Sequence, residues 1–349
     1  MNARNPYAIS FGRIPHQYIS RDYVLDEILD ALTSDIVEQQ AFKLTGIRGT
    51  GKTVMLSAIE KELRSDDDWI VCDIKPGGDI TTDIVSALYG EVPFIKDFID
   101  ANLDLSAFGI GLKISNKAIP VSPDTAIKKL LNVIAGKKKR VLIAIDEVRK
   151  TPELVDFIQE FQILIREELP IYLIVAGLYE DIEGIENSEG LTFFLRAEKY
   201  EMKPLNITMI REDYKKTIGL DNETAEELAS MTKGYAFAYQ AFGKYMWESK
   251  DKVISDMVLA QVDEALSQKV YDKIWSELRP NDKWYLGFIV KKDTMTVDEL
   301  LTETRKKHNE WSSPRSRLVE KGILDCSVRG RISVRLPRFR EYVETHSDE

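Results

Sequence analysis

The sequence predicts an α/β protein: a parallel sheet with helices on both faces, followed by an all-helical domain and a C-terminal winged helix-turn-helix. Three observations carry this expectation. Short apolar runs alternate with helical patterns up to about residue 205, which is how a parallel sheet covered by crossover helices reads. From about residue 208, four amphipathic patterns follow one another with no strand between them. After Pro280, three helical patterns precede two β-runs around Gly330, the layout of a winged helix. The expected domains are 1–206, 207–276 and 277–349, in keeping with roughly 100–200 residues per domain.

Residues 41–45, AFKLT, read as a short buried strand running straight into a glycine-rich loop. Residues 53–64 then carry Val54, Leu56, Ile59 and Leu63 at helical spacing. WIVCDI, 69–74, is the next strand, closed by a PGGD turn. Helical patterns continue to about residue 102, FGIGLKI (108–114) reads as a hairpin piece of unassigned role, and 124–135 is helical again. RVLIAIDE is a continuous apolar run ending in two acids. A helix over 153–168 leads to the strand IYLIVAG, 171–177, and YEMKPL, 200–205, closes the sheet. The strands lack polar–apolar alternation, as strands buried on both faces do. IREDYKKTIG, ETAEELASMTKG, AFAYQAFGKYMWESK and ISDMVLAQVDEALSQKVYDKIW form the helical domain. NDKWYLGFIV, TVDELLTETRKK and SPRSRLVEKG are the last helices, with ILDCSV and RISVRLP as the hairpin.

Composition narrows the function classes. Apolar residues make up 44% and charged residues 30% of the 349, an ordinary globular balance. No stretch approaches the roughly 18–20 apolar residues that span a bilayer, so no membrane partner is expected. MNARNPYAIS has no apolar run of the secretory type. Cys72 and Cys326 lie far apart, and His16, His308 and His346 are scattered. Neither set has metal-ligand spacing, and a reduced, cytoplasmic setting fits them. The net charge of −10 argues against wholesale coating of nucleic acid. Between Arg305 and Arg340, however, eleven Lys/Arg face three acids, leaving that window at +8 and the rest of the chain at −18. Such asymmetry suits either one nucleic-acid-facing module or a solvated basic surface.

GIRGTGKT, residues 46–53, matches G-x-x-x-x-G-K-[ST]. Each position has a task. The glycines Gly46, Gly49 and Gly51 allow positive φ and let main-chain N–H groups of Ile47, Arg48 and Thr50 approach phosphates. The helix that follows directs its positive end at them. Lys52 adds charge at the β- and γ-phosphates, and Thr53 offers a hydroxyl to Mg²⁺. Val54 completes the expected ATP-binding stretch. The loop stands between a strand and a helix, which separates it from an ordinary glycine-rich turn.

VLIAIDE, 141–147, brings Asp146 and Glu147 to a strand's C-terminal end, where open parallel sheets bind ligands. Asp146 is the expected Mg²⁺ ligand beside Thr53. Glu147 is placed to polarise an attacking water. Arg196, in TFFLRAEKYEMKPL (192–205), fits a finger offered to a neighbour's γ-phosphate; it equally fits a helix-end arginine bonded to carbonyls.

FGRIPHQYISRDYVLDEI, GIRGTGKT, VLIAIDE, LIVAGL, FLRAEKYEMKPL, KGYAFAYQAFGKYMW and the basic C-terminal module occur in this order. The chain thereby resembles the P-loop AAA+ ATPases of the replication-initiator type, and more closely the "archaeal-type ATPase" group related to STAND NTPases. The resemblance spans almost the whole chain. It implies that Tyr18, Ile19 and Arg21 lie against the adenine, and it puts Tyr235 and Ala236 of the lid at the nucleotide. It makes Ala176–Gly177 the sensor-1 region, where such proteins usually carry Asn, Thr or Ser. The lid reads Lys233-Gly234-Tyr235-Ala236-Phe237, without the proline of STAND-like members or the arginine of initiators, so Lys233 is the substitute charge. Both departures point to slow hydrolysis.

In a winged helix the third helix enters the major groove. Arg315, Arg317 and Lys321 on that helix, with Arg329 and Arg331 on the hairpin, are the expected DNA contacts, and Trp311 with Ser312–Ser313 is expected to cap and position it. The reading is an ATP/ADP- and Mg²⁺-dependent ATPase whose lid and core clamp the nucleotide and whose nucleotide state controls binding of double-stranded DNA. The alternative is a STAND-like regulatory NTPase whose lid and winged helix engage a protein partner. A homo-oligomeric motor using Arg196 in trans is the third reading.

Overall fold

The structure, a computed structural model, describes residues 4–10, 15–110 and 119–346. It comprises two units. The first is an α/β unit of Asp22–Thr45 and Lys52–Glu201. The strands of its main sheet are β1 (Ala41–Thr45), β2 (Trp69–Asp73), β3 (Arg140–Val148), β4 (Ile171–Gly177) and β5 (Glu198–Glu201). They form one parallel sheet in the order β2-β3-β4-β1-β5. The unalternated apolar runs explain this placement: Val141–Ile145 and Ile171–Ala176 are almost wholly buried, with helices available for both faces. The helices are α1 (Asp22–Thr33), α2 (Lys52–Arg64), α3 (Ile80–Glu91), α4 (Pro93–Asn102), α5 (Pro123–Gly136), α6 (Pro152–Arg166) and α7 (Tyr179–Glu186).

Two expectations about this unit change. The closing strand begins at Glu198 and ends at Glu201, so Met202–Leu205 are not part of it. Of the expected hairpin over 108–114, residues 108–110 are described: Phe108 ends a 3₁₀ turn, Ser106–Phe108, and Ile110 is bridged to Leu105; residues 111–114 lie outside the described residues. The sequence FGRI, 11–14, also lies outside them.

The second unit comprises Arg21 and the residues before it, Gly46–Gly51, and the chain from Met202 onward. Its lid is α8 (Ile207–Ile218), α9 (Asn222–Met231), α10 (Ala236–Glu248) and α11 (Asp256–Leu266). A five-residue π-helical turn, Ser267–Tyr271, joins α11 to α12 (Asp272–Ser276). Asp213 of α8 is buried and accepts hydrogen bonds from Tyr7 (2.6 Å), Tyr239 (2.8 Å), Thr217 (2.9 Å) and Gln17. A buried carboxylate without a cation needs such donors. Here they staple the N-terminal segment to the lid.

The winged helix consists of α13 (Pro280–Ile289), β6 (Thr294–Thr296), α14 (Val297–Thr304), α15 (His308–Glu320), β7 (Leu324–Asp325), β8 (Arg331–Val334) and α16 (Phe339–His346). Its sheet has three strands, β6-β8-β7, all antiparallel. The sequence predicts only two of them. Thr294–Met295 were missed because they abut a strong capping box, in which Thr296 and Glu299 bond each other's main chain.

The third helix also differs from expectation. It starts at His308 rather than Ser313, and Pro314 lies inside it. The Ser-Pro pair looks like a helix start because proline favours the first turn. Trp311 and Ser312–Ser313 therefore do not cap it. Trp311 is wholly buried against Tyr285 of α13, with ring centroids 4.9 Å apart. Ser312 donates to Asn309 O, and Ser313 accepts from Arg317. No helix among the described residues is long and apolar enough to cross a membrane.

Arg317 fixes α15 to α13. Its Nε and Nη2 grip both oxygens of Asp282, which is 1% exposed. Removing one partner of such a pair strands a buried charge, at a cost of about 3 kcal/mol. Arg317→Ala should therefore lower the urea midpoint of the full chain by that amount of stability; an unchanged midpoint contradicts this role.

Candidate functional site

The glycine loop is shaped by donors to its carbonyls. Thr50 Oγ1 donates to Ile47 O (2.9 Å), Tyr235 OH to Arg48 O, Phe237 N to Gly49 O (3.0 Å), and Arg21 Nη2 to Thr50 O (2.9 Å). In a planar trans peptide the next N–H points opposite to the carbonyl. These bonds therefore turn the N–H groups of residues 48–51 away from the donors, the orientation an anion nest requires. Gly49 and Gly51 have φ of +75° and +95°, accessible to glycine at little cost. A Cβ on Gly49 would also collide with the Tyr235 phenol. Arg48 extends outward to Glu277, 3.2 Å away, which also pairs with Lys273.

Arg21 stands at the loop rather than being free to lie on a base. Its guanidinium also donates to Lys203 O (2.8 Å) and lies 3.3 Å from a Cβ placed on Gly51. Burial lowers its pKa to about 10, as expected for a cation held by carbonyls alone. Tyr18 is exposed and Ile19 is buried in the hydrophobic core of this unit. Tyr235 is also buried, its phenol spent on the loop. Ala236 opens α10, 3.9 Å from a Cβ on Gly51.

Lys233 is not a substitute sensor charge. Its Nζ donates to Val334 O of β8, 2.9 Å away, and its φ is +49°. Gly234 follows where a Cβ would meet Leu205 O at 2.5 Å, so the turn admits no larger residue without rearrangement.

In the α/β unit, Lys52 opens α2, and Thr53 and half-buried Val54 share its first turn. Thr53 Oγ1 donates to Asp146 Oδ2 at 2.6 Å, so the two expected Mg²⁺ ligands meet. Hydroxyl plus carboxylate is the oxygen donor set Mg²⁺ takes alongside phosphate oxygens. Among the described residues no cluster of three His, Cys, Asp or Glu could hold a metal unaided.

The pairing of β3 with β4 explains how the two acids are presented. Ile145 pairs with Val175 and Val148 with Gly177, so Asp146 and Glu147 together oppose Ala176. This bulge re-aims the strand end. Glu147 is exposed, has φ +52°, and its N–H donates to Asp146 Oδ1 at 2.8 Å. A non-glycine residue in that region stores about 1 kcal/mol or more of strain. The bulge was invisible in the apolar run. It also explains the small residues at the sensor-1 position, since a Cβ on Gly177 would meet Val148 Cγ2 at 2.9 Å and its carbonyl at 3.2 Å.

Arg196 ends a short 3₁₀ turn, Thr192–Arg196, with its side chain exposed and without a carboxylate partner among the described residues. Its carbonyl accepts from Gln39 at 2.9 Å.

A family model described as a domain of unknown function, DUF8462, matches residues 268–343. No curated protein matches the chain. Among solved structures, the Aeropyrum pernix ORC2 protein in ADPNP–ADP complexes superposes with a TM-score of 0.60 at 12% identity, over 97% of this chain and 96% of that one. The ADP form of the same protein gives 0.50 at 12% identity over the same shares. The chain has the fold of the A. pernix ORC2 protein.

The basic residues of this fold's winged helix divide sharply. Arg317 is committed to Asp282, which withdraws it from the expected DNA contacts. Lys321 caps α15 and is half-buried. Arg315, Arg329 and Arg331 are exposed and line one groove between α15 and the β7–β8 hairpin.

Glu60 of α2 was not singled out in the sequence. Burial, then the charges of Asp73 and Asp146, raise its pKa to about 7, against an opposing contribution from Arg64. The folded state thus holds a proton that the unfolded chain releases near pH 4.5, and stability falls as pH rises from there to about 7. Glu60→Gln should be neutral near pH 4 and stabilising by up to about 3 kcal/mol at pH 8. Denaturation at both pH values checks this, and an equal effect at both contradicts it.

Proposed function

We propose that this chain binds ATP with Mg²⁺, hydrolyses it slowly, and uses the bound nucleotide to switch a winged helix that binds double-stranded DNA. The observation that carries this reading is the set of bonds around the glycine loop. The same loop that is built to seat phosphates is tied through Arg48 to Glu277, and through Gly49 and Tyr235 to the start of α10. Those partners belong to the unit that includes the winged helix. A triphosphate that reshapes the loop's carbonyl bonding therefore acts directly on that unit.

In the chemistry, Lys52 and the loop N–H groups bind the β- and γ-phosphates. Thr53 and Asp146 would hold a Mg²⁺ ion, which would supply positive charge beside the phosphates. Glu147 orients the attacking water. The nonpolar Ala176–Gly177 and the engaged Lys233 leave fewer polar groups for the γ-phosphate, which favours slow turnover. Exposed Arg196 is available to a neighbouring copy. The nucleotides bound by the A. pernix ORC2 protein agree with ATP and ADP as ligands.

Lys52→Ala should abolish binding of a fluorescent ATP analogue; retained affinity contradicts the phosphate-loop assignment. Glu147→Gln should keep that affinity and lose at least about tenfold in phosphate release, within the range expected of a catalytic acid–base group. Duplex-DNA binding measured with ADP and with a non-hydrolysable ATP analogue should differ. Equal binding in both removes the switch, and binding of no duplex at low salt removes DNA as the partner.

A further inference from the structure

We propose that the groove between α15 and the β7–β8 hairpin is a seat for the sugar–phosphate backbone of duplex DNA, and that this winged helix holds DNA without reading its bases. The inference rests on the reading that DNA is the partner and deepens it. The groove encloses about 460 Å³. Arg315, Arg329 and Arg331 line it with His308, Ser312 and Ser316, and Trp311 also contributes to its wall.

Ion pairing decides which of the eleven basic residues between Arg305 and Arg340 are available. Lys306 pairs with Glu310, Arg317 with Asp282, Arg335 with Asp325, Arg338 with Asp263, and Arg340 with Glu344. The +8 of the sequence window therefore overstates the field this surface offers to solvent. The three groove arginines have no carboxylate partner among the described residues, and they converge on one concavity. An arrangement of unneutralised guanidinium groups around a solvent-open groove matches phosphate, which takes two parallel N–H donors from each.

The face of α15 is poorly equipped for base readout. Arginine and lysine at guanine, or asparagine and glutamine at adenine, are the principal base readers. Arg317 is clamped to Asp282, and Arg315 lies beside the Cys326 thiol at the hairpin, where it partly offsets the rise that burial imposes on that thiol. The serines are internally engaged: Ser312 with Asn309 O, Ser313 with Arg317, and Ser316 with Glu320 at 2.6 Å. Asn309 alone remains as an exposed amide near the start of the helix. Asp298 also lines the groove and opposes phosphate there.

The test uses the full chain with a non-hydrolysable ATP analogue and fluorescent duplexes of unrelated sequence, titrated from 50 to 200 mM NaCl. Three phosphate contacts give a slope of log affinity against log salt near −2.7, hence a loss of about 40-fold over that range. Affinities should agree within about threefold across sequences. Arg315→Ala, Arg329→Ala and Arg331→Ala should each make the slope shallower by about 0.9. Asp298→Asn should tighten binding, and Asn309→Ala should leave it unchanged. A duplex selected from a random pool that binds more than about 30-fold better than its competitors overturns the inference while leaving DNA as the partner. So does loss of binding in Asn309→Ala. Absence of binding to any duplex at 50 mM NaCl overturns both the inference and the DNA reading beneath it.

Discussion

The glycines of the phosphate-type loop bring no side chains to hold its shape, so its geometry depends largely on what its main chain bonds to. Here the carbonyls of four successive residues, Ile47 to Thr50, accept from a threonine hydroxyl within the loop, a buried phenol, a helix-start N–H and a half-buried guanidinium. That constraint orients the amides on which the proposed phosphate binding depends. It also explains why Tyr235 is buried and why Gly49 can carry no Cβ. The loop's conformation is consequently a property of the lid, and any ligand that alters one alters the other.

The two acids at the end of β3 depend on a second local device. Without the bulge opposite Ala176, Asp146 and Glu147 would alternate across the sheet, one on each face. With it, Asp146 meets Thr53 while Glu147 stands exposed, at the cost of a left-handed backbone. The crowding that accompanies the bulge also removes room for a polar residue at Gly177. Presentation of the acids and the absence of a sensor side chain thus have one cause.

In the winged helix, ion pairs serve structure. Arg317 holds two helices together through an almost fully buried Asp282, and Arg338 reaches Asp263 of α11 from the start of α16. Arginine suits this work because its fork satisfies both carboxylate oxygens at once. Of the charges without an ion pair, Arg315, Arg329 and Arg331 lie together in one groove, while Arg305 and Lys307 are exposed outside it. Net charge of a sequence window counts both kinds alike, which is why the window suggested a larger basic surface than the fold presents.

The sequence by itself determined the parts whose physics is local. Unbroken apolar runs such as VLIAI and IYLIVA can be satisfied only between two helical layers. The glycines of GIRGTGKT admit the φ values observed, and helical spacing marks the lid without reference to anything outside each helix. What only the tertiary structure decided were the partners brought from far along the chain. Arg317 lies 35 residues from Asp282, and Lys233 lies 101 from Val334. The bulge depends on pairing between β3 and β4, and the start of α15 at His308 on burial of Trp311 against Tyr285. Side-chain type states what a residue is able to bond, but which bond it makes is set by distance in space, and that distance exists only once the chain has packed.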